Sequence, residues 1–250
     1  MKSGAFCITS STMSRKQVIT SGQRMIHEAP APAVNQGNQP AETESRSVPH
    51  SELNSLPRTF FTQSTEEVAR ELLGRYLVLN QAGKPVRIGK IVETEAYVGE
   101  HDLASHSAHG RTARTAPMFE EAGRAYVYLI YGMYWCLNVV TEEVDRGCAV
   151  LLRALEPISG ITASTDGPGK LCRALDIDKS WNRADLVSGQ LRLTEGKPID
   201  PDQIATSGRI GVSYAGDWAD KPLRFFVTTN PYVSRYSGGR PRTKKLGASA

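Results

Sequence analysis

The 250-residue chain is poor in cysteine, in long apolar runs and in excess charge of either sign. Its cysteines, Cys7, Cys136, Cys148 and Cys172, form no C-x-x-C pair. That pattern excludes a disulfide scaffold, a zinc ribbon and a thioredoxin-type motif, and leaves reduced thiols as the expectation. No uninterrupted apolar run approaches the roughly 18 residues of a membrane-spanning helix, so no membrane partner is expected. The formal net charge is +4, but Arg235, Arg240, Arg242, Lys244 and Lys245 supply +5 and leave residues 1–234 at −1. The body is electrically neutral, and only the basic tail over 235–250, read as flexible, has the charge pattern of a polyanion binder. With 40% hydrophobic and 22% charged residues, the chain has the composition of a globular protein able to bury a sizeable core.

Residues 1–56 are rich in Ser, Thr, Gln, Ala and Pro and short of large apolar side chains. Such a stretch buries too little surface to offset its ordering entropy and reads as a disordered extension. Lys2, Arg15, Lys16 and Arg24, with no acid among them, loosely resemble a transit peptide, but no long apolar or amphipathic stretch accompanies them. The ordered domain is expected over 57–234.

Within it, Ser64 to Glu67 spell a capping box, followed by Val68, Ala69, Leu72 and Leu73 at helical spacing and by Gly74 as a stop. "YLVLN", "GKIVETEAY", "AYVYLI", "YWCLNVV", "GCAVLLRAL", "SGRIGVSY" and "LRFFVTT" read as strands. The Tyr131-Gly132-Met133 connection makes residues 125–140 a hairpin, and "DGPGKLCRAL" opens a helix with Pro168 in its first turn. Strands dominate with few helices between them, which predicts an α+β fold: a curved, largely antiparallel sheet with peripheral helices. In "ETEAY", alternation puts Ile91, Glu93, Glu95 and Tyr97 on one strand face, so two carboxylates stand where a half-buried strand normally turns apolar residues inward.

"GKIVETEAYVG", "ASHSAHGRTARTAPMF", "AYVYLIYGMYWCLNVV" and "AVLLRALEPISG", with "DGPGKLCRAL", "SGRIGVSYAGDW" and "LRFFVTTNPYVSR", closely resemble the alkyladenine (3-methyladenine) DNA glycosylase family. The resemblance is collinear over roughly residues 58–235. It implies a monofunctional enzyme of base-excision repair, acting as a monomer, without cofactor, on double-stranded DNA. The enzyme would flip an alkylated purine from the duplex, with deaminated and etheno purines as further candidates, and hydrolyse its N-glycosidic bond to leave an abasic site.

The resemblance also assigns roles to residues. Glu95 matches the general base and Arg153 a residue that helps hold the attacking water, with the Val227 carbonyl as a further water ligand. Tyr97, His106 and Tyr128 match the residues that sandwich the base, and electron-rich rings suit a cationic alkylated purine. Asn138 matches the residue that crowds the 2-amino group of guanine. Tyr131, at the tip of a protruding hairpin, matches the wedge that fills the gap left by the flipped nucleotide. Arg111, Arg114, Lys170 and Arg209 match phosphate-contacting positions, Lys170 close to a helix N-terminus. None of the residues assigned to the pocket or to catalysis is a lysine, which implies water as nucleophile and no strand-nicking lyase step. One departure stands out: many bacterial members read "GRTPRN" where this chain has Gly110 to Thr115, and Ala113 and Thr115 predict a less rigid loop.

Two other classes fit parts of the sequence. A metal-dependent hydrolase would draw on His101, His106 and His109 with Asp102, Glu93 and Glu95, although their spacing matches no familiar zinc signature. A catalytically silent DNA-damage binder would keep the fold and the wedge, and the intact Glu95 and Arg153 argue against it. In each DNA-directed reading the compartment is one that holds DNA: cytoplasm and nucleoid in a bacterium, nucleus or organelle in a eukaryote.

Overall fold

The computed structural model describes residues 53–234 and the backbone of Lys244–Lys245. The expected disordered extension up to residue 52 and the rest of the expected flexible tail lie outside the described residues. Residues just before Pro57 already pack on the sheet: Ser55 bridges Thr194, and Leu56 is buried with its N–H on the Leu193 carbonyl. No helix among the described residues is long and apolar enough to cross a membrane.

The strands are β1 (Tyr76–Leu79), β2 (Arg87–Val98), β3 (Ala125–Ile130), β4 (Tyr134–Thr141), β5 (Cys148–Ser159), β6 (Leu191–Thr194), β7 (Ile204–Ser207), β8 (Arg224–Val227) and β9 (Lys244–Lys245). Every pairing is antiparallel, in the order β3-β4-β5-β2-β8-β7-β9, with β1 joining β2 to β6. The α+β class expected from the strand-rich pattern is the class observed. At Lys244–Lys245 the tail is a short strand on β7.

Strand β2 organises the sheet. It pairs with β5 through almost its whole length on one edge, and on the other with β1 first and then β8. Register shifts fall at Ile91/Glu93 and Glu93/Thr94, so the simple alternation expected for Glu93 and Glu95 is interrupted by bulges. A bulge bends and twists its strand, which here lets one edge of β2 serve two partners. Both glutamates are fully buried.

Helices are short: α1 (Arg58–Phe61), α2 (Thr65–Glu71) and α3 (Pro168–Ala174), with several 3-10 turns. Half of the expected capping box forms: Ser64 Oγ accepts from Glu67 N at 3.4 Å, while the Glu67 carboxylate accepts from the Ser64 hydroxyl at 2.6 Å rather than from its backbone N–H. Val68, Ala69, Leu72 and Leu73 enter the core, where a side chain such as Leu72 contributes about 1.5–3 kcal/mol by burial. Gly74 follows at φ 86°, and a Cβ there would lie 2.3 Å from the Lys197 carbonyl oxygen, so only glycine fits.

The strand expected over 207–214 is not one. Strand β7 ends at Ser207, and Val212 to Ala219 run through a loop into a 3-10 turn. Gly208 and Gly211 interrupt the pattern: a Cβ on Gly208 would meet the Ala219 carbonyl at 2.6 Å, and Gly211 sits at φ 80°. The residues freed from the sheet form one wall of the site.

Candidate active site

A cavity of about 610 Å³ opens where β3, β4 and β5 meet the N-terminus of α3 and the 210–214 loop. That volume lies within the roughly 300–1,000 Å³ of small-molecule pockets. Tyr97, His106, Tyr128, Asn138, Tyr131, Arg153 and Lys170, all singled out from the sequence, line it together. The hairpin explains part of this convergence: in the β3–β4 register Tyr126 faces Asn138 and Tyr128 faces Cys136. Tyr126, Met118, Tyr134, Tyr214 and Ile210 also line the cavity and were missed. Tyr126 carried a usable signal, since it alternates with Tyr128 along β3.

The aromatic wall is interlocked. The His106 and Tyr128 rings meet edge to face with centroids 4.4 Å apart, and His106 Nδ1 shares a 2.9 Å hydrogen bond with the Tyr126 hydroxyl. Burial, with Arg114 and His109 nearby, pushes the His106 pKa down to about 4, so the ring is neutral at pH 7. Burial first, then Glu95 beside it, holds the Tyr97 hydroxyl well above 10, and burial does the same for Tyr128. Asn138 Nδ2 donates to the Tyr126 carbonyl at 3.0 Å, which fixes its amide at the cavity floor.

Behind this wall lies a charged network. Glu95 is fully buried and contributes no surface to the cavity; it is reached through Tyr97, Arg153 and Ile210, which do line it. Its Oε2 accepts from the Tyr97 hydroxyl at 2.9 Å and faces Arg153 Nη1 at 3.2 Å, while Oε1 accepts from Ile210 N at 2.7 Å. Glu93 faces away from the cavity. Its Oε1 accepts from Arg153 Nε at 2.9 Å, Arg224 Nε at 2.6 Å and Ser234 Oγ at 2.8 Å, and its Oε2 from Ser234 N at 2.7 Å. Burial would raise the Glu93 pKa, but Arg153, then Arg224 and Ser234, outweigh it and hold the carboxyl below its ordinary value. Burial opposes the charge on Arg153 too, and Glu95 and Glu93 together raise its pKa. Two carboxylates equivalent by sequence alternation thus have different surroundings, and only Glu95 stands next to the cavity.

One expectation fails on geometry, and one residue stands back from the cavity. Arg209 is not a surface contact: its side chain is fully buried, with Nη1 and Nη2 on the two Asp102 oxygens at 2.5 and 2.7 Å. A guanidinium so enclosed has no face left for a phosphate. Val227, at the end of β8, does not line the cavity, and its carbonyl accepts from Asn230 N at 3.3 Å. The proposed metal cluster does not assemble either: Asp102 holds Arg209, and both glutamates hold Arg153. Among the described residues no group of three or more His, Cys, Asp or Glu side chains is arranged around a metal position.

The remaining cations and Tyr131, the expected wedge, are exposed. Tyr131 stands at the hairpin tip with φ 52° and 76% of its surface exposed. Arg114 lies 5.7 Å over the Tyr128 ring, Arg111 pairs with Asp145 at 2.7 Å, and Lys170 Nζ reaches both Asp166 oxygens at 3.1 Å. The loop expected to be loose is pinned from within: Thr115 Oγ1 accepts from Thr112 N at 2.8 Å and donates to the Gly110 carbonyl at 2.9 Å.

Comparisons with known proteins place the chain in a family. Residues 59–231 match the profile of the family described as methylpurine-DNA glycosylase (MPG). A protein of Legionella pneumophila (strain Lens) is 52% identical over 185 residues, 73% of this chain and 100% of that protein. One of Myxococcus xanthus (strain DK1622) is 50% identical over 185 residues, 73% of this chain and 95% of its own length. One of Methanocella arvoryzae is 46% identical over 198 residues, 74% of this chain and 98% of its own length. Each of the three bears the name "Putative 3-methyladenine DNA glycosylase". The class is therefore that of the DNA glycosylases, hydrolases of base-excision repair. Within it, the chain belongs to the methylpurine-DNA glycosylase family.

Proposed function

We propose that this protein excises alkylated purines from duplex DNA by direct hydrolysis, with Glu95 as the general base. The observation that carries the reading is the Glu95 carboxylate, set behind an aromatic cavity by the Tyr97 hydroxyl, Arg153 and the Ile210 N–H. Each carboxylate oxygen has two acceptor directions, and Oε1 uses one of them on Ile210. The free direction accepts a proton from a water admitted between Tyr97, Arg153 and Ile210. As the C1′–N bond breaks, the sugar gains oxocarbenium character, and the nearby carboxylate stabilises that charge. Arg153, anchored by Glu93, orients the water.

The flipped base sits among Tyr97, His106 and Tyr128. Ring faces attract a cationic alkylated purine, and neutral His106 adds no opposing charge. Such a base leaves without needing a proton. Asn138 excludes guanine by crowding its 2-amino group, and Tyr131 fills the vacated stack through the minor groove. Arg111, Arg114 and Lys170 contact phosphates. Lys170 also lines the cavity, but its Nζ is held on both Asp166 oxygens at 3.1 Å; water is the nucleophile, so no lyase step follows, and the enzyme works as a monomer on damaged purines in whichever compartment holds the DNA. Deaminated and etheno purines extend the substrate range.

The test uses a duplex carrying one 1,N6-ethenoadenine or hypoxanthine, incubated with enzyme in EDTA and developed with hot alkali. Wild type cleaving and Glu95→Gln failing supports the reading. Cleavage by both would remove Glu95 from its role, and lesion binding by wild type without cleavage would favour the silent binder. Loss of activity in EDTA would revive the metal hydrolase, and a borohydride-trapped DNA adduct would overturn the water mechanism.

A further inference from the structure

Arg209 meets an acid 107 residues away in sequence, and the pair ties together the segments that face Glu95. Asp102 accepts from Val98 N at 3.2 Å and Ala104 N at 3.0 Å as well as from the guanidinium. Arg209 Nη1 also donates to the Ala96 carbonyl at 2.9 Å, and the guanidinium carbon lies 4.7 Å from the Tyr97 ring centroid. Arg209 does not line the cavity and Tyr97 does, so the cation backs the ring. One ion pair thus joins the end of β2, the turn that leads to His106, and the loop that follows β7.

Two of the donors to Glu95 sit on those segments. Tyr97, against the guanidinium, gives its hydroxyl, and Ile210, the residue after Arg209, gives its backbone N–H. Stability alone is a poor account of the pair. Arg209 Nε is buried without a hydrogen-bond partner, and replacing a buried ion pair with apolar groups is often neutral or stabilising. A local cost of that kind is expected where geometry at a functional site is the gain.

We propose that Asp102 and Arg209 are positioning residues for the Glu95 carboxylate, acting through the Tyr97 ring and the backbone at Ile210. The inference rests on the reading of Glu95 as general base. It assigns the reaction two residues that touch neither DNA nor water.

The test is single-turnover release of 1,N6-ethenoadenine from a duplex, with lesion-duplex affinity measured in parallel. Asp102→Asn and Arg209→Gln are expected to lower the rate about 100-fold, the scale of a misplacement of about 1 Å, with affinity held within about threefold. Arg209→Lys, which keeps the charge and one bond to Asp102, is expected to recover about tenfold of that loss. A double-mutant cycle adds a readout that a merely structural pair would not move. Asp102→Asn should cost less on a Tyr97→Phe background, where one donor is already gone, than on wild type. Should Asp102→Asn melt below the assay temperature, Arg209→Lys takes its place in the cycle. Rates within about threefold of wild type, or additive costs in the cycle, would overturn the inference. Glu95→Gln runs alongside: full activity in that variant sinks the general-base reading itself, whereas an inactive Glu95→Gln beside unimpaired pair variants sinks only the positioning role.

Discussion

Arg153 Nε donates to Glu93 at 2.9 Å, and that bond turns the Nη1 of the same guanidinium toward Glu95. Glu93 therefore works at one remove from the cavity, by holding a cation that faces it. Glu93→Gln leaves Arg153 and Arg224 buried without the carboxylate they share. Breaking a buried pair from one side costs about 3–5 kcal/mol. Urea denaturation should show a loss of that size, and a change below about 1 kcal/mol would mean that the network rearranges freely.

Acid should weaken the fold through His106 and Glu93 together. The His106 pKa falls from an ordinary 6.5 to about 4 in the folded state, so the unfolded chain binds the proton more readily between those values. Stability is complete above 6.5 and is lost as the pH falls toward 4. Glu93, held below its ordinary value, acts in the same direction at still lower pH. Denaturation series at falling pH should show the decline, and His106→Gln should flatten its upper part. An unchanged slope in that variant would contradict the shift.

Tyr131 offers a separation of function from stability. Its side chain is largely exposed, so Tyr131→Ala should leave the unfolding free energy within about 0.5 kcal/mol. A stacking contact is worth about 1–3 kcal/mol per base, which predicts a fall of about 10- to 100-fold in excision from duplex DNA. Equal rates for the variant and wild type would show that something else fills the gap in the stack.

Salt dependence should sort the arginines. If Arg111, Arg114 and Lys170 each neutralise one phosphate, each alanine variant lowers the slope of log affinity against log salt by about 1. Arg209→Gln, which removes the charge, should leave that slope unchanged, because Arg209 is enclosed by Asp102. A slope change at Arg209 would mean that the loop opens when DNA binds.

Much of the site was legible because it is local. The hairpin declares itself through alternating residues around Tyr131-Gly132-Met133, and the cavity aromatics sit in the motifs that carried the family resemblance. What stayed hidden depends on distant partners. A buried arginine and a phosphate-binding arginine look alike in a loop, and Asp102 is too far along the chain to mark Arg209 as enclosed. Alternation likewise treats Glu93 and Glu95 as equals, because Ile210, Arg224 and Ser234, which separate them, come more than a hundred residues later. The strand expected over 207–214 fails at Gly208 and Gly211, where the backbone turns instead.

Ser234 supplies two of the bonds on Glu93, one from its backbone and one from its hydroxyl. Synthesis runs from the N-terminus, so strands β1 to β8 are all made before this latch exists. A chain that stopped short of Ser234 would leave Glu93 Oε2 without its 2.7 Å backbone donor, and the carboxylate that anchors Arg153 would be held from one side only.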